Sequence, residues 1–395
     1  MHSAAQPLLS ASNGRVPRIL FVNDLWGYGT VTMAIAVAEE LHGQAITRFA
    51  GQGPGFDLAR RACFDHLLSV DTMADAILPA LDAAIEASDA VVTVLNGIVA
   101  RRAAERGIPC LYLDCMLWMW AQAPDVPPGV LYYAENFPGT RERLVQWRDD
   151  LGGGDVVGPL VVRPRSGRAE SAEVALINFG GLSCTLLDQA TLVAYADAMA
   201  RCALTALDPS TERVIIAAGR HILELMDQDA LRAIRPEVEL IDLSHETYLA
   251  ELRRSRVLIS SSGMHALYEA CALGVPCICL PPQNLSGALA LDELSRAGVQ
   301  RALDWSDLYG LAGLDSSDEP AACSRIAECV HRFSADETAQ RRLGNDLCNR
   351  LRPDRLAPVQ QRQAEFFAEQ GEYGAPVVAS RILKLVEVPA IVVPS

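Results

Sequence analysis

Short runs of consecutive apolar residues alternate along the chain with longer segments that have helical spacing. In the first half, residues 18–22, 90–95 and 110–113 are apolar runs that predict buried strands, and residues 30–41 and 97–106 have the spacing of helices. Continuous apolar strands separated by helices are typical of a parallel sheet covered on both faces. The first half therefore predicts such a sheet.

The same alternation restarts after a segment rich in Pro, Gly and Arg at residues 163–170, which predicts a linker. Further strands are predicted at residues 174–177, 213–217, 238–241, 257–259 and 277–280, and residues 324–386 are mostly helical. We predict an α/β protein of two doubly wound, Rossmann-like domains, 1–162 and 171–395, with ligands at the strand carboxyl ends in the cleft between them. It stays open whether the last helix packs back on the N-terminal domain.

Composition narrows the class of protein. Half of the 395 residues are apolar, which suffices for two cores, and 49 acidic against 34 basic residues give a net charge of −15. Such a balance argues against nucleic-acid binding and against docking on an anionic membrane. The eleven cysteines have no C-x-x-C pair or zinc-type spacing, and we find no signal peptide or membrane span. We expect a cytoplasmic protein without cofactor or metal.

The most informative stretch follows the strand at residues 257–259. Ser262 and Gly263 close this strand and begin a helix, so the backbone amides of residues 264–266 are donors without helical partners. Together with the positive end of the helix dipole, these amides form a site for a diphosphate. Glu269 lies about two turns into this helix, where its carboxylate can accept bonds from ribose hydroxyls.

This stretch, with Gly274-Val-Pro276 after it, resembles the donor-binding region of GT-B glycosyltransferases. The likeness is greatest to the peptidoglycan lipid-intermediate N-acetylglucosaminyltransferase and to macrolide-type natural-product glycosyltransferases. It covers residues 236–300 well and residues 18–41 and 178–183 weakly. The resemblance implies that residues 262–266 hold the diphosphate, that Glu269 holds the ribose and that the other positions contact the base or sugar. The implied donor-binding set is Gly180, Gly181, Ser183, Ile241, Ser262, Gly263, Met264, His265, Ala266, Glu269, Gln283 and Asn284.

A glycine-containing loop, residues 23–30, follows the first strand. Thr32 stands where the third glycine of a dinucleotide fingerprint would be, which disfavours NAD binding. We therefore interpret the loop as part of an acceptor site, with a plain strand–helix turn as the alternative. The resembled family commonly has a histidine here, and Thr30 occupies that position, so the base must lie elsewhere.

Polar residues at strand ends are the candidates for that base, because an inverting transfer needs a group to take the acceptor proton. We favour Asp114, which follows the strand at residues 110–113, and next Asp24, which follows the first strand. The predicted acceptor-binding residues share these strand ends and the loop: Trp26, Tyr28, Gly29, Thr30, Asn96, Trp118 and Glu135.

The resemblance implies an inverting, metal-independent glycosyltransferase that takes a sugar from a nucleotide diphosphate, with uridine expected. Its acceptor is expected to be a soluble small molecule of a specialised pathway, such as antibiotic biosynthesis. The first loop and residues 114–120 also resemble cytosylglucuronate synthases, which suggests cytosine. A sugar-nucleotide 2-epimerase or hydrolase and a non-catalytic nucleotide-sugar-binding protein stay open, as does a homodimer.

Overall fold

A computed structural model describes residues 15–24, 27–72, 78–164 and 174–387. These residues form two parallel sheets, of seven and five strands. The seven-stranded sheet has the order β3-β2-β1-β4-β5-β6-β7. Its strands are β1 Arg18–Asn23, β2 Ile46–Gly51, β3 His66–Ser69, β4 Ala90–Val94, β5 Cys110–Asp114, β6 Leu131–Glu135 and β7 Asp155–Val157.

Helices cover both faces of this sheet because its central strands are apolar on both faces. Every residue of β4 and β5 is buried, so neither face can be left to solvent. The helices are α1 Gly29–Glu40, α2 Gly53–Ala59, α3 Pro79–Glu86, α4 Gly97–Glu105 and α5 Thr140–Gln146. The loop before α1 and the segment after β5 therefore emerge at the same edge, the carboxyl ends of the strands.

The five-stranded sheet has the order β10-β9-β8-β11-β12 and is built in the same way. Its strands are β8 Val174–Gly180, β9 Arg213–Ala218, β10 Glu239–Ile241, β11 Val257–Ser260 and β12 Cys277–Cys279. Seven helices belong to its layers: α6 Gln189–Ala206, α7 Arg220–Leu223, α8 Gln228–Ile234, α9 His245–Arg254, α10 Met264–Leu273, α11 Leu285–Arg296 and α12 Trp305–Tyr309. The predicted α/β architecture of two doubly wound parallel sheets is confirmed.

The end of the chain is helical and returns to the first sheet. After a short 3-10 turn at Ser316–Asp318 come α13 Glu319–Ala335, α14 Glu337–Arg350, α15 Pro353–Glu369 and α16 Gly374–Glu387. Helix α15 packs against α10, whereas α16 packs against α1, β4 and β7. The buried face of α16, which includes Val378 and Ile382, thus joins the core of the N-terminal half.

The predicted linker lies between the two sheets, but only Arg163 and Pro164 of it are among the described residues, so the domain bounds stay a prediction. Among the described helices, none combines the length and the apolar character that a bilayer crossing requires.

Candidate functional site

A cavity of about 320 Å³ lies where the carboxyl ends of the two sheets face each other. Its walls come from loops that follow strands of both sheets, as expected for doubly wound folds. From the first sheet it receives the loop before α1, Leu95 after β4 and Met116 after β5. From the second sheet it receives the loops that follow β8, β11 and β12.

Helix α10 begins at this cavity. Its N-cap is Gly263, and no side chain caps the amides of its first turn. The cavity is lined by Met264, His265 and Ala266, so this first turn borders the open space. An uncapped helix N-terminus offers amide donors and a positive dipole end to an anion. Five of the predicted donor-site residues, 262–266, are thus brought together here.

Buried polar atoms without a protein partner surround the start of α10. Among the described residues they include Ser262 Oγ, His245 Nδ1, Tyr248 Oη and Gln283 Oε1. All four side chains line the cavity. A buried polar atom that lacks a partner costs about 1–3 kcal/mol, so four in one cavity indicate a surface built to be satisfied by a polar ligand.

Glu269 lies on the same wall, further along α10. It is buried, and its Oε1 lies 2.7 Å from His245 Nε2. The structure gives Oε2 no partner among the described residues, and Glu269 lines the cavity. The imidazole of His245 therefore fixes the carboxylate while leaving one oxygen for a ligand hydroxyl.

The loop after β8 borders the cavity and contacts the glycine loop of the N-terminal half. A Cβ on Gly181 would lie 2.7 Å from Tyr28 Cδ1 and 3.0 Å from the Tyr28 amide nitrogen, so only glycine allows this approach. Gly180 adopts a φ of +57°, and Gly180, Gly181 and Ser183 all line the cavity. The two glycine loops, 27–29 and 180–181, are therefore in direct contact across the cavity.

The remaining predicted donor residues differ in their placement. Gln283 and Asn284 line the cavity, but the Asn284 side chain also caps α11 by accepting from the Gly287 amide at 2.9 Å. Ile241 is half-buried and does not line the cavity. Leu243, Ala217 and Ala218, which lie nearby at the same sheet edge and in its loops, line the cavity.

The wall from the first sheet is apolar, with one carboxylate. Asp24 is buried, lines the cavity and accepts a bond from Thr30 Oγ1 at 2.9 Å. Trp118 and Trp120 also line the cavity, but their indole N–H groups donate inward, to Cys115 O and to the carboxylate of Asp114. The two indoles thus present apolar surface rather than donors. The predicted residues Tyr28, Gly29 and Thr30 line the same wall, whereas Trp26 lies outside the described residues.

The structure does not bring Asp114, the residue predicted as the base, to the cavity. Asp114 is fully buried and does not line the cavity. Its carboxylate accepts from Tyr132 Oη at 2.5 Å, Trp120 Nε1 at 3.0 Å and the Met116 amide at 2.6 Å. Burial raises the pKa of Asp114, and these hydrogen bonds oppose the rise. Asp114 therefore organises the loop after β5 instead of meeting a substrate.

Two predicted acceptor contacts, Asn96 and Glu135, also lie outside the cavity lining. Asn96 is buried away from the cavity, where its Oδ1 caps α4 through the Val99 amide and its Nδ2 donates to Thr72 O. Glu135 is fully buried behind the cavity wall, and its Oε1 accepts from the Leu160 amide at 2.5 Å. Strand-end position predicted the correct edge of the sheet for both residues but not the side-chain direction.

Glu135 instead meets His265 from the other half of the molecule. Its Oε2 lies 2.9 Å from His265 Nε2. Burial would lower the pKa of His265, but the carboxylates of Glu135 and Glu269 outweigh burial and raise it above its usual value. With Cys115, these two residues form the only His/Cys/Asp/Glu group of metal-ligand spacing that the described ranges contain. Because Glu135 and His265 already pair with each other, we assign no metal to them.

His245 and Tyr248 were not among the site residues predicted from the sequence, yet both line the cavity. His245 follows β10 by four residues and opens α9, at the same strand edge as the rest of the site. That position after a strand is the signal that could have indicated it. Nothing in the sequence indicates that Tyr248 Oη would remain without a partner.

No protein-family model matches the sequence, and no curated protein matches it. Solved structures resemble it over nearly the whole chain. A UDP-glucosyltransferase from Polygonum tinctorium, capable of glucosylating indoxyl, is 15% identical over 95% of this chain and 100% of that one, with a TM-score of 0.52.

Two further structures are complexes with UDP. A UDP-glucose: anthocyanidin 3-O-glucosyltransferase is 10% identical, with 94% and 99% of the two chains covered and a TM-score of 0.55. Os79 from O. sativa is 11% identical, with 93% and 100% covered and a TM-score of 0.54. At these identities the likeness defines the fold alone. The chain has the GT-B fold, in which two α/β units, each built on a parallel sheet, face each other across a cleft.

Proposed function

We propose that the protein is an inverting glycosyltransferase that moves a sugar from a nucleoside diphosphate, UDP in the first instance, to a small-molecule acceptor. The single observation that carries this proposal is the start of α10, where an uncapped helix N-terminus meets several unpartnered polar atoms in one cavity. Amides and a dipole end are the groups that bind a diphosphate. Two structures of the same fold are complexes with UDP, which supports uridine.

Each part of the donor then has a site in the C-terminal half. The diphosphate lies at residues 262–266, and Glu269 Oε2 accepts from the ribose because His245 holds Oε1. The base lies towards Ala217, Ala218 and Leu243, and the sugar towards Gln283, all of which line the cavity. The glycine loop at residues 180–181 covers the phosphates.

The acceptor site lies against the first sheet. The apolar surfaces of Trp118 and Trp120 suit a flat molecule, and the carboxylate of Asp24 suits one N–H or O–H group on it. A nucleobase such as cytosine has this chemistry. We therefore include a nucleobase among the proposed acceptors, with Asp24 holding the proton-bearing atom.

The proposed step is one displacement at the anomeric carbon. The acceptor atom forms a bond to C1 while the bond from C1 to the diphosphate oxygen breaks, and the acceptor proton goes to a base. Negative charge develops on the leaving diphosphate next to the amides of α10, which stabilise it without a metal ion. Because attack and departure take place on opposite sides of C1, the anomeric configuration inverts.

Nucleotide binding is tested by melting the protein with UDP, dTDP, GDP or CMP, in wild type and Glu269→Ala. A nucleotide at about 100 times its Kd stabilises the fold by about 2.7 kcal/mol. We expect UDP to raise the Tm of wild type, Glu269→Ala to lose most of that rise, and the control Glu246→Ala, an exposed residue of α9, to keep it. No rise with any nucleotide would refute the donor site.

Transfer is tested by UDP release from UDP-glucose and UDP-glucuronate, with and without cytosine, and by NMR of the product. We expect acceptor-dependent release and an inverted anomeric configuration. Conversion of the donor at an equal rate without any acceptor would instead identify an epimerase or hydrolase. UDP binding without turnover would leave a nucleotide-sugar-binding protein.

A further inference from the structure

One buried pair of titratable groups joins the two halves at the cavity. Glu135, the last residue of β6, and His265, in the first turn of α10, approach to 2.9 Å between Oε2 and Nε2. Oε1 of Glu135 already accepts from the Leu160 amide, and α10 has no side-chain cap.

The other edge of the His265 ring faces the acceptor side of the cavity. A Cβ built on Gly29 would lie 2.9 Å from His265 Nδ1, closer than to any other atom of the ring. His265 and Gly29 both line the cavity, together with Asp24. Nδ1 thus lies beside the first glycine loop, although its helix belongs to the opposite half.

A carboxylate on one ring nitrogen fixes the proton there and leaves the other nitrogen to exchange a proton. Glu135 Oε2 lies 2.9 Å from Nε2 without meeting hydrogen-bond geometry, so its charge, rather than a formed hydrogen bond, favours the proton on Nε2. Nδ1 is then the acceptor atom. Asp114, which the sequence favoured as the base, lies outside the cavity and accepts from three donors of the protein.

We propose that His265 is the general base of the transfer and that Glu135 is the residue that positions it, an inference that rests on the proposed function. Nδ1 takes the proton of the acceptor N–H or O–H while the acceptor atom bonds to C1. The bond from C1 to the diphosphate oxygen breaks, and its electron pair leaves with UDP. The imidazolium formed remains paired with the Glu135 carboxylate.

The titratable groups around the His265 ring determine how kcat/KM depends on pH. Glu135 faces it from β6, Glu269 from the same helix and Cys115 from the segment after β5. The two carboxylates raise the pKa of His265, and burial raises that of the Cys115 thiol, which stays neutral. Since a base acts in its neutral form, kcat/KM should rise with pH through the raised pKa of His265. Glu135→Gln should move this limb to lower pH.

The test compares wild type, His265→Gln, Glu135→Gln and the control His42→Gln, an exposed residue after α1. UDP affinity is measured by calorimetry and turnover by UDP release with the donor and acceptor pair that wild type uses. General base catalysis contributes about 10²–10⁴-fold. We expect His265→Gln, whose amide can still donate to Glu135, to lose at least about 100-fold in kcat with UDP affinity changed less than about threefold. His42→Gln should match wild type.

A second measurement follows the His265 ring by NMR in UDP-saturated protein. We expect it to titrate above the ordinary histidine value of about 6.5 in wild type and lower in Glu135→Gln. If the His265 ring titrates at the same pH in wild type and Glu135→Gln, Glu135 does not position a base. The same conclusion follows if the rise of kcat/KM with pH occurs at the same pH in the two proteins.

The outcomes separate this inference from the proposed function. A His265→Gln variant with wild-type kcat overturns the base and leaves the glycosyltransferase intact. A loss confined to UDP affinity overturns the base as well and assigns the ring to the diphosphate. Wild type that binds UDP but transfers no sugar overturns the proposed function, and the inference falls with it.

Discussion

The two helices that begin at the cavity, α1 and α10, differ in how their surroundings are satisfied. Both start after a glycine-containing loop, and neither has a side-chain cap. At α1 the hydroxyls are bonded within the protein: Thr30 donates to Asp24 and Thr32 to the Gly29 carbonyl. At α10 the hydroxyl of Ser262 has no partner among the described residues.

This difference indicates that the α10 side, more than the α1 side, has polar groups for a ligand to bond. Polar groups that already have hydrogen-bond partners in the protein add little to the binding energy of a polar ligand. Buried groups without partners add the hydrogen bonds that they form with it. Substitutions on the α1 side should therefore reduce stability, and substitutions on the α10 side should reduce binding.

The largest effect on stability is expected for Asp114→Ala. It leaves the buried Tyr132 hydroxyl and the half-buried N–H groups of Trp120 and Met116 without an acceptor. We expect a loss of about 2–5 kcal/mol in the free energy of unfolding, measured in urea, because each buried donor left unsatisfied costs about 1–3 kcal/mol. Asp114→Asn, which keeps acceptor oxygen and volume, should lose less. An unchanged Asp114→Ala midpoint would contradict the network.

Ser262→Ala should reduce UDP affinity and not stability. Its hydroxyl has no protein partner to lose, so the free energy of unfolding should stay the same or rise. UDP affinity should fall about five- to tenfold, which corresponds to one hydrogen bond of about 1 kcal/mol. Calorimetry with UDP and urea unfolding measure the two effects. Lower stability with unchanged affinity would assign the hydroxyl to the fold.

Thr30→Val is the matched change on the α1 side. It removes the bond to Asp24 at nearly constant volume. We expect a loss of about 0.5–1.5 kcal/mol in the free energy of unfolding and no change in UDP affinity. Weaker UDP binding in this variant would show that the two walls are not separate in function.

The smallest effect is expected in the pH dependence of stability. The folded-state pKa of His265 is raised above its unfolded value, so its contribution is complete below about pH 6.5. It is lost as pH rises through the folded-state pKa. Urea unfolding of wild type minus that of His265→Gln should reveal this decline, and a difference that increases with pH would contradict the pairing with Glu135.

Much of the fold could be predicted because its inner strands are uninterrupted apolar runs. β1 and β4 fall at the predicted places within a residue or two. The strands at the margins were missed for physical reasons. β2 contains Thr47 and Arg48, β3 is four residues long and exposed, and β7 has three residues. Such strands depend on neighbours in space rather than on a pattern of their own.

The candidate site divides in the same way. That residues 262–266 and Glu269 border the cavity could be predicted because they are close in sequence, so strand, loop and helix fix their geometry locally. The pairing of Glu135 with His265 joins residues far apart in sequence. The burial of Asp114 depends on Tyr132 in the next strand. Periodicity carries no information about either contact.

The return of α16 to the first sheet also bears on how the chain folds as it is synthesised. Val378 and Ile382 fill the core beside α1, so the N-terminal half is completed by residues that are synthesised after the whole second sheet. Until then, the apolar surface under α16 has no cover. We expect that a fragment ending after the first sheet aggregates and that a separately added α16 peptide restores its solubility. Folding of the N-terminal half thus depends on a helix that follows the second sheet in the chain.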